Sequence, residues 1–209
     1  MTCILLHGLG QSAASWNDTI RHMDRTSEIC RPELSEWIQG KASCYSNLYG
    51  GLEKYCEQFE EPVNLCGLSL GGILALQYGM EHPDRVNSLV LIGTQYVMPK
   101  RLLKFQNVLF RLMPRGTFEE MGFQKRDIID LCESMLELDF SAGLGKLRCP
   151  VLLICGERDK ANKSAAIQMS RQIPNAALLT VSGAGHEVNQ DAPDELGKMV
   201  DRFFKLTPD

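Results

Sequence analysis

The stretch Val63-Asn64-Leu65-Cys66-Gly67-Leu68-Ser69-Leu70-Gly71 decides the fold. Val63 to Cys66 reads as a short buried strand, and Leu70 to His82 as a helix that Pro83 and Asp84 stop. A serine between two glycines at such a junction sits on a tight strand-to-helix turn. Its hydroxyl is pushed out at the C-terminal edge of the sheet, and side chains in place of the glycines would meet the neighbouring strand and helix. The five-residue pattern Gly67 to Gly71 is short, and a serine helix cap followed by packing glycines fits the same letters. The rest of the chain has to choose between them.

Working outward, short apolar runs alternate with longer amphipathic stretches. Thr2 to Leu6, Glu28 to Arg31, Val86 to Ile92, Val151 to Cys155 and Ala177 to Val181 read as further strands. Tyr45 to Phe59 and about Ala192 to Leu206 read as helices, the latter with Pro193 in its first turn. Strands of Val, Leu and Ile without polar alternation are expected to be buried on both faces. Strand–helix–strand repetition then predicts an α/β fold, a parallel sheet with helices on both sides. Between Gly93 and Cys149 no strand is expected. Arg101 to Met113, bracketed by Pro99 and Pro114, and Asp127 to Leu138 read as two helices, so residues 94–148 form a helical insertion over one sheet edge. No repeat or linker divides the chain, and residues 1–209 are expected to form a single domain.

Composition narrows the function. The chain has 209 residues, 44% hydrophobic and 23% charged, with a net charge of −4. Those values exclude intrinsic disorder, and the absence of a basic block argues against nucleic acid or an anionic membrane as main partner. No apolar run approaches the ~20 residues that a membrane span needs. The eight cysteines form no C-x-x-C and have no histidine at zinc-finger spacing. They are expected to be buried free thiols acting as small hydrophobes, with no metal site. With Met1 leading almost directly into a strand and no signal peptide, a reducing cytoplasm is the expected location.

Three more turns carry chemistry. His7-Gly8-Leu9-Gly10 ends the first strand. A tetrahedral intermediate needs two donors aimed at its oxyanion, and the backbone N–H groups of Leu9 and Leu70 are the candidates. His7 is expected to hold this loop by hydrogen bonds. Cys155-Gly156-Glu157-Arg158-Asp159 and Gly183-Ala184-Gly185-His186 each follow a strand. A serine nucleophile needs an imidazole, and the imidazole needs a carboxylate to fix its tautomer. In a parallel sheet these turns share one edge, so Ser69, Asp159 and His186 can converge, in the chain order Ser, Asp, His.

With these motifs the chain resembles the α/β-hydrolase-fold serine hydrolases, of the small esterase, lactonase and carbon–carbon hydrolase type. The resemblance runs from His7-Gly8 to the last helix. It implies a three-layer α/β-hydrolase fold with Ser69 as nucleophile, His186 as general base and Asp159 as its carboxylate. It further implies Leu9 and Leu70 as the oxyanion hole, the 94–148 insertion as a cap, and no metal or organic cofactor. Members usually carry two strands before the His-Gly turn. This chain starts at that strand, so about six strands and a short cap are expected. The expected partner is a small-molecule acyl substrate, a carboxylic ester or a related lactone, thioester or carbon–carbon bond, and same-site acyl transfer is open too. Met98, Leu102, Phe105, Leu109, Met113 and Met121 are candidate wall residues, and Trp16 could reach the mouth of the site. Two rival readings stand beside it. Gly8-Leu9-Gly10-Gln11-Ser12-Ala13 satisfies G-x-G-x-x-A, with Glu28 placed 20 positions after Gly8 like a ribose-binding acid of an NAD(P) oxidoreductase. The other rival is a catalytically inactive binding protein on the same fold.

Overall fold

In the computed structural model, residues 2–23, 28–100, 103, 107, 108, 110, 111 and 124–207 are described. Six strands form one parallel sheet: β1 (Thr2–Leu6), β2 (Glu28–Cys30), β3 (Val63–Leu68), β4 (Val86–Ile92), β5 (Val151–Gly156) and β6 (Ala176–Val181). Seven α-helices have defined bounds among the described residues: α1 (Asn17–Ile20), α2 (Tyr45–Cys56), α3 (Leu70–Glu81), α4 (Lys125–Ser134), α5 (Lys163–Gln172), α6 (Val188–Asp191) and α7 (Pro193–Leu206). None is long and apolar enough to cross a membrane.

Strand periodicity builds the layers. Cys3, Leu5, Cys66, Leu68, Val90, Ile92, Leu152 and Ile154 face one way and pack with Trp16 and with Leu196, Val200 and Phe204 of α7. Ile4, Leu6, Leu65, Leu89, Leu91, Val151 and Leu153 face the other way, against Leu48 and Leu52 of α2, Leu74 of α3 and Met169 of α5. This is the three-layer arrangement of the α/β-hydrolase fold. Burial on both faces explains why β3 and β5 carry no polar alternation. The expectation fails at the rim, where β6 alternates in burial and Leu179 is 41% exposed. As the last strand of the sheet, β6 has one flank without a strand neighbour among the described residues.

The strand order is β2-β1-β3-β4-β5-β6. From β1 the chain moves outward to β2, then returns across β1 to β3. Strand order reverses between β1 and β3, and the crevice beyond the carboxyl ends of such strands is where ligands bind in open α/β sheets. Register aligns those ends: Leu6 lies beside Gly67, Leu68 beside Ile92, Ile92 beside Ile154, and Gly156 beside Val181. The turns after β1, β3, β4, β5 and β6 therefore share one edge.

Helix bounds differ from the sequence expectation for local reasons. The α2 helix stops at Cys56 rather than Phe59, because Arg85 reaches in and donates to the carbonyls of Cys56, Phe59 and Glu60. The α4 helix begins at Lys125, two residues early, where Gln124 and Asp127 close a capping box. It ends at Ser134, whose hydroxyl donates to Leu131 O and accepts from Tyr45 N, instead of reaching Leu138. The C-terminal helix begins at Pro193, preceded by the short α6. Among the described residues between β4 and β5 there is one isolated bridge, Val97 with Asp139, and no strand.

Candidate active site

Ser69 occupies the junction of β3 and α3 with φ 53° and ψ −111°. It is the only non-glycine with positive φ among the described residues. Such a conformation costs about 1–3 kcal/mol and persists only where the surroundings impose it. Here they do: Ser69 N donates to Ile92 O at 2.8 Å, and Ser69 O accepts from Ile73 N at 3.0 Å. A Cβ on Gly67 would fall on the backbone of Gly71, and a Cβ on Gly71 would fall on the Leu6 carbonyl. The flanking glycines therefore let α3 press against the strand ends while Ser69 stays at the tip. Leu70 follows as the first residue of α3, at the positive end of the helix dipole.

His186 and Asp159 come from the turns after β6 and β5. His186 Nδ1 lies 2.8 Å from Asp159 Oδ2. The Asp159 side chain is almost wholly buried, while that of His186 is 40% exposed. Burial pushes the Asp159 carboxyl upward. Hydrogen bonds from His186 and Asn162, with the attraction of the imidazole, outweigh that and hold it below the usual carboxylate range. Asn162 donates from Nδ2 to Oδ1 and Oδ2 of Asp159 at 3.0 and 2.8 Å. Gln95 Nε2 in turn donates to Asn162 Oδ1 at 2.8 Å, which fixes the orientation of that amide. Gly93 lies behind the pair with φ +53°. A Cβ there would stand 2.9 Å from His186 Nδ1 and 3.2 Å from Asp159 Oδ2. Gly93→Ala is expected to push the imidazole aside and cost about a hundredfold in turnover of any reaction using His186. Initial-rate assays beside a thermal melt check this, and wild-type rates would show that the ring tolerates the shift.

Ser69, His186, Asp159, Leu9 and Leu70 all border one cavity of about 400 Å³. Its walls are mainly apolar and include Ile73, Met98, Leu103, Cys132 and Met135. Of the expected wall residues, Met98 is in place. Leu102, Phe105, Leu109, Met113 and Met121 lie outside the described residues. Trp16 does not reach the mouth: it is fully buried among the residues packed under α7. The loop after β1 is held by His7, whose Nδ1 donates to Gly8 O at 2.9 Å and whose Nε2 accepts from Leu34 N at 3.1 Å. Burial pushes the His7 imidazole below its ordinary value, against the opposing pull of Gly8 O and of Glu33, whose Oε1 lies 2.9 Å from Nε2.

The dinucleotide reading loses its acid, since Glu28 pairs with Thr2 at the opposite end of β1 from the glycine turn. That turn leads into a 3-10 segment, Ala13–Trp16, and the single turn of α1, not into a long helix aimed at a pyrophosphate. None of the eight cysteines forms a disulfide, and six are buried. Glu53, Glu81 and His82 converge closely enough to hold a metal ion, but none of them borders the cavity, and Tyr49 Oη already donates to Glu81. Gln95, Asn162 and the buried Gln11 were not singled out by sequence. A polar residue three positions after Asp159, at the start of α5, was the one sign that pointed to Asn162.

Residues 3–198 match the model of the alpha/beta hydrolase family. The chain belongs to the alpha/beta hydrolase family. This alpha/beta hydrolase is 22% identical to a 2-hydroxy-6-oxononadienedioate/2-hydroxy-6-oxononatrienedioate hydrolase of Pseudomonas putida, over 98% of this chain and 87% of that protein. It superposes on a carboxylesterase structure from the thaumarchaeon Nitrososphaera gargenis with a TM-score of 0.86 at 17% identity, covering 99% of this chain and 90% of that one. An enol-lactonase from Burkholderia xenovorans LB400 gives 0.82 at 19% identity, covering 98% and 91%. These two likenesses show a common fold. Family membership makes the alpha/beta hydrolase an enzyme of hydrolase type.

Proposed function

We propose that the chain is a serine hydrolase that cleaves a small carboxylic ester, or a related acyl compound, through an acyl-enzyme. One observation carries the reading. The strained Ser69 and the His186–Asp159 pair border the same apolar cavity as the amide-bearing residues Leu9 and Leu70. With Nδ1 engaged by Asp159, Nε2 of His186 is the nitrogen left to take the serine proton. Ser69 Oγ attacks the acyl carbonyl as that proton moves to Nε2, and the carbonyl oxygen becomes an oxyanion against the amides of Leu9 and Leu70. The carbon–oxygen bond to the leaving alcohol then breaks, and His186 returns the proton to that alcohol. Water, deprotonated by His186, attacks the acyl-enzyme and releases the acid and a free Ser69. No metal or organic cofactor enters these steps.

Residues 94–148 act as the cap in this reading, with Met98, Leu103, Cys132 and Met135 covering the acyl group. The cavity suits a short or medium acyl chain, and methionine walls allow some variation in its shape. A fluorophosphonate probe is expected to label the protein once, at Ser69, as located by peptide mass spectrometry. Turnover of p-nitrophenyl esters of rising acyl length, run beside lactones and thioesters, is expected to peak at a short or medium ester. Absence of labelling would favour a binding protein on the same fold, and a lactone or thioester optimum would move the substrate class without moving the site.

A further inference from the structure

We infer that Gln11 and Asn189 are positioning residues that set the loop bearing Leu9 against the loop bearing His186. The inference rests on the hydrolase reading above. The two side chains lie 178 positions apart and are 4% and 1% exposed. Their amides pair reciprocally: Gln11 Nε2 donates to Asn189 Oδ1 at 3.1 Å, and Asn189 Nδ2 donates to Gln11 Oε1 at 3.2 Å.

Each amide also grips its surroundings. Gln11 Oε1 accepts from Gly8 N at 3.3 Å and from Ser15 Oγ at 3.3 Å, so it braces the turn that presents Leu9. Gln11 Nε2 donates to Oε1 of Glu187, the residue after His186, at 3.1 Å. Asn189 Nδ2 donates to Ser15 O, and Asn189 O accepts from Thr19 Oγ1. An oxyanion donor and a general base must hold one geometry relative to the same reacting carbon. The loops that carry them come from opposite ends of the chain and meet through this amide pair. Buried amides left half-paired are costly, so the pair closes in one arrangement. A carboxylate lacks the donor, an apolar residue lacks both groups, and a hydroxyl offers donor and acceptor from a single atom, so none of them reproduces the reciprocal pair at either position.

The test uses Gln11→Leu, Asn189→Leu, the double Leu variant and the swapped pair Gln11→Asn with Asn189→Gln. A p-nitrophenyl ester is the substrate, and a fluorophosphonate titrates the active fraction so that kcat is expressed per labelled site. Each single variant is expected to lose about ten- to a hundredfold in kcat with KM changed less than about threefold. The double variant is expected to cost no more than the worse single, because the pair is already broken. The swap is expected to recover part of the loss. A structural role alone would lower the melting temperature and the titrated fraction while leaving kcat per site unchanged, and that result overturns the inference. If the wild-type chain labels at Ser69 and both single variants match its kcat, this inference fails while the hydrolase reading stands. If the wild-type chain does not label, the hydrolase reading itself has failed.

Discussion

Ser69→Ala is expected to lower kcat by about four to six orders of magnitude while leaving the melting temperature close to that of the parent chain. The chemical loss is total at the nucleophile, since alanine has nothing to attack with. Any rate that persists comes from water attacking a substrate still oriented by the cavity and polarised by the Leu9 and Leu70 amides. The fold should barely notice. The bonds that impose the turn are backbone bonds, Ser69 N to Ile92 O and Ile73 N to Ser69 O, and alanine keeps both. Alanine also bears the same strain at φ 53° that serine does. Steady-state rates with a fluorescent or chromogenic ester, set beside a thermal melt, decide the matter. Retention of a tenth of the parent activity would remove Ser69 from the nucleophile's role.

Asp159→Asn is expected to cost about 10⁴-fold in kcat, with a smaller loss of stability. The cause is the direction of one proton. Asp159 Oδ2 accepts from His186 Nδ1, which leaves Nε2 bare and able to act as a base. An asparagine that turns its NH₂ toward the ring donates to Nδ1 instead, and the proton then sits on Nε2, where it blocks transfer from Ser69. An asparagine that turns its oxygen toward the ring aims its NH₂ at Oδ1's partners, the backbone N–H and Nδ2 of Asn162, both donors. The first orientation keeps the His186 bond on the wrong tautomer and sets its NH₂ against Asn162 Nδ2, and the second leaves donors facing donors. A buried donor without an acceptor costs about 1–3 kcal/mol, which sets the expected stability loss. Combining kcat with a denaturant melt checks both parts, and a fully active Asp159→Asn protein would show that the carboxylate is dispensable.

The fold was legible wherever one local signal sufficed. Val86 to Ile92 closes on the apolar run Leu89-Val90-Leu91-Ile92, and it is the strand end to end. The meeting of Ser69, Asp159 and His186 at one cavity is legible because each sits in a glycine-marked turn just after a strand, and parallel strands bring those turns to one edge. Signals from remote parts of the chain were lost. The end of α2 depends on Arg85, which lies 29 residues beyond Cys56. Gln11 pairs with Asn189, 178 positions away, and nothing near Gln11 announces that partner. The burial of Trp16 depends on α7, at the far end of the chain. The pieces that the backbone places by itself are legible in the sequence pattern, and those placed by side chains reaching between distant segments are not.

The reversal of strand order between β1 and β3 has a consequence for how activity appears during folding. Leu9 leaves β1 near the start of the chain, Ser69 leaves β3, and His186 follows the last strand. These residues meet only after pairings of high sequence separation have closed, and such pairings form slowly because the intervening chain must first lose its freedom. Early compact states can hold helices and much of the apolar core yet have no working site. On the proposed reading, recovery of catalysis therefore reports the end of folding for this chain, and a fragment lacking β1 and its turn or the turn that bears His186 is left without part of the proposed site.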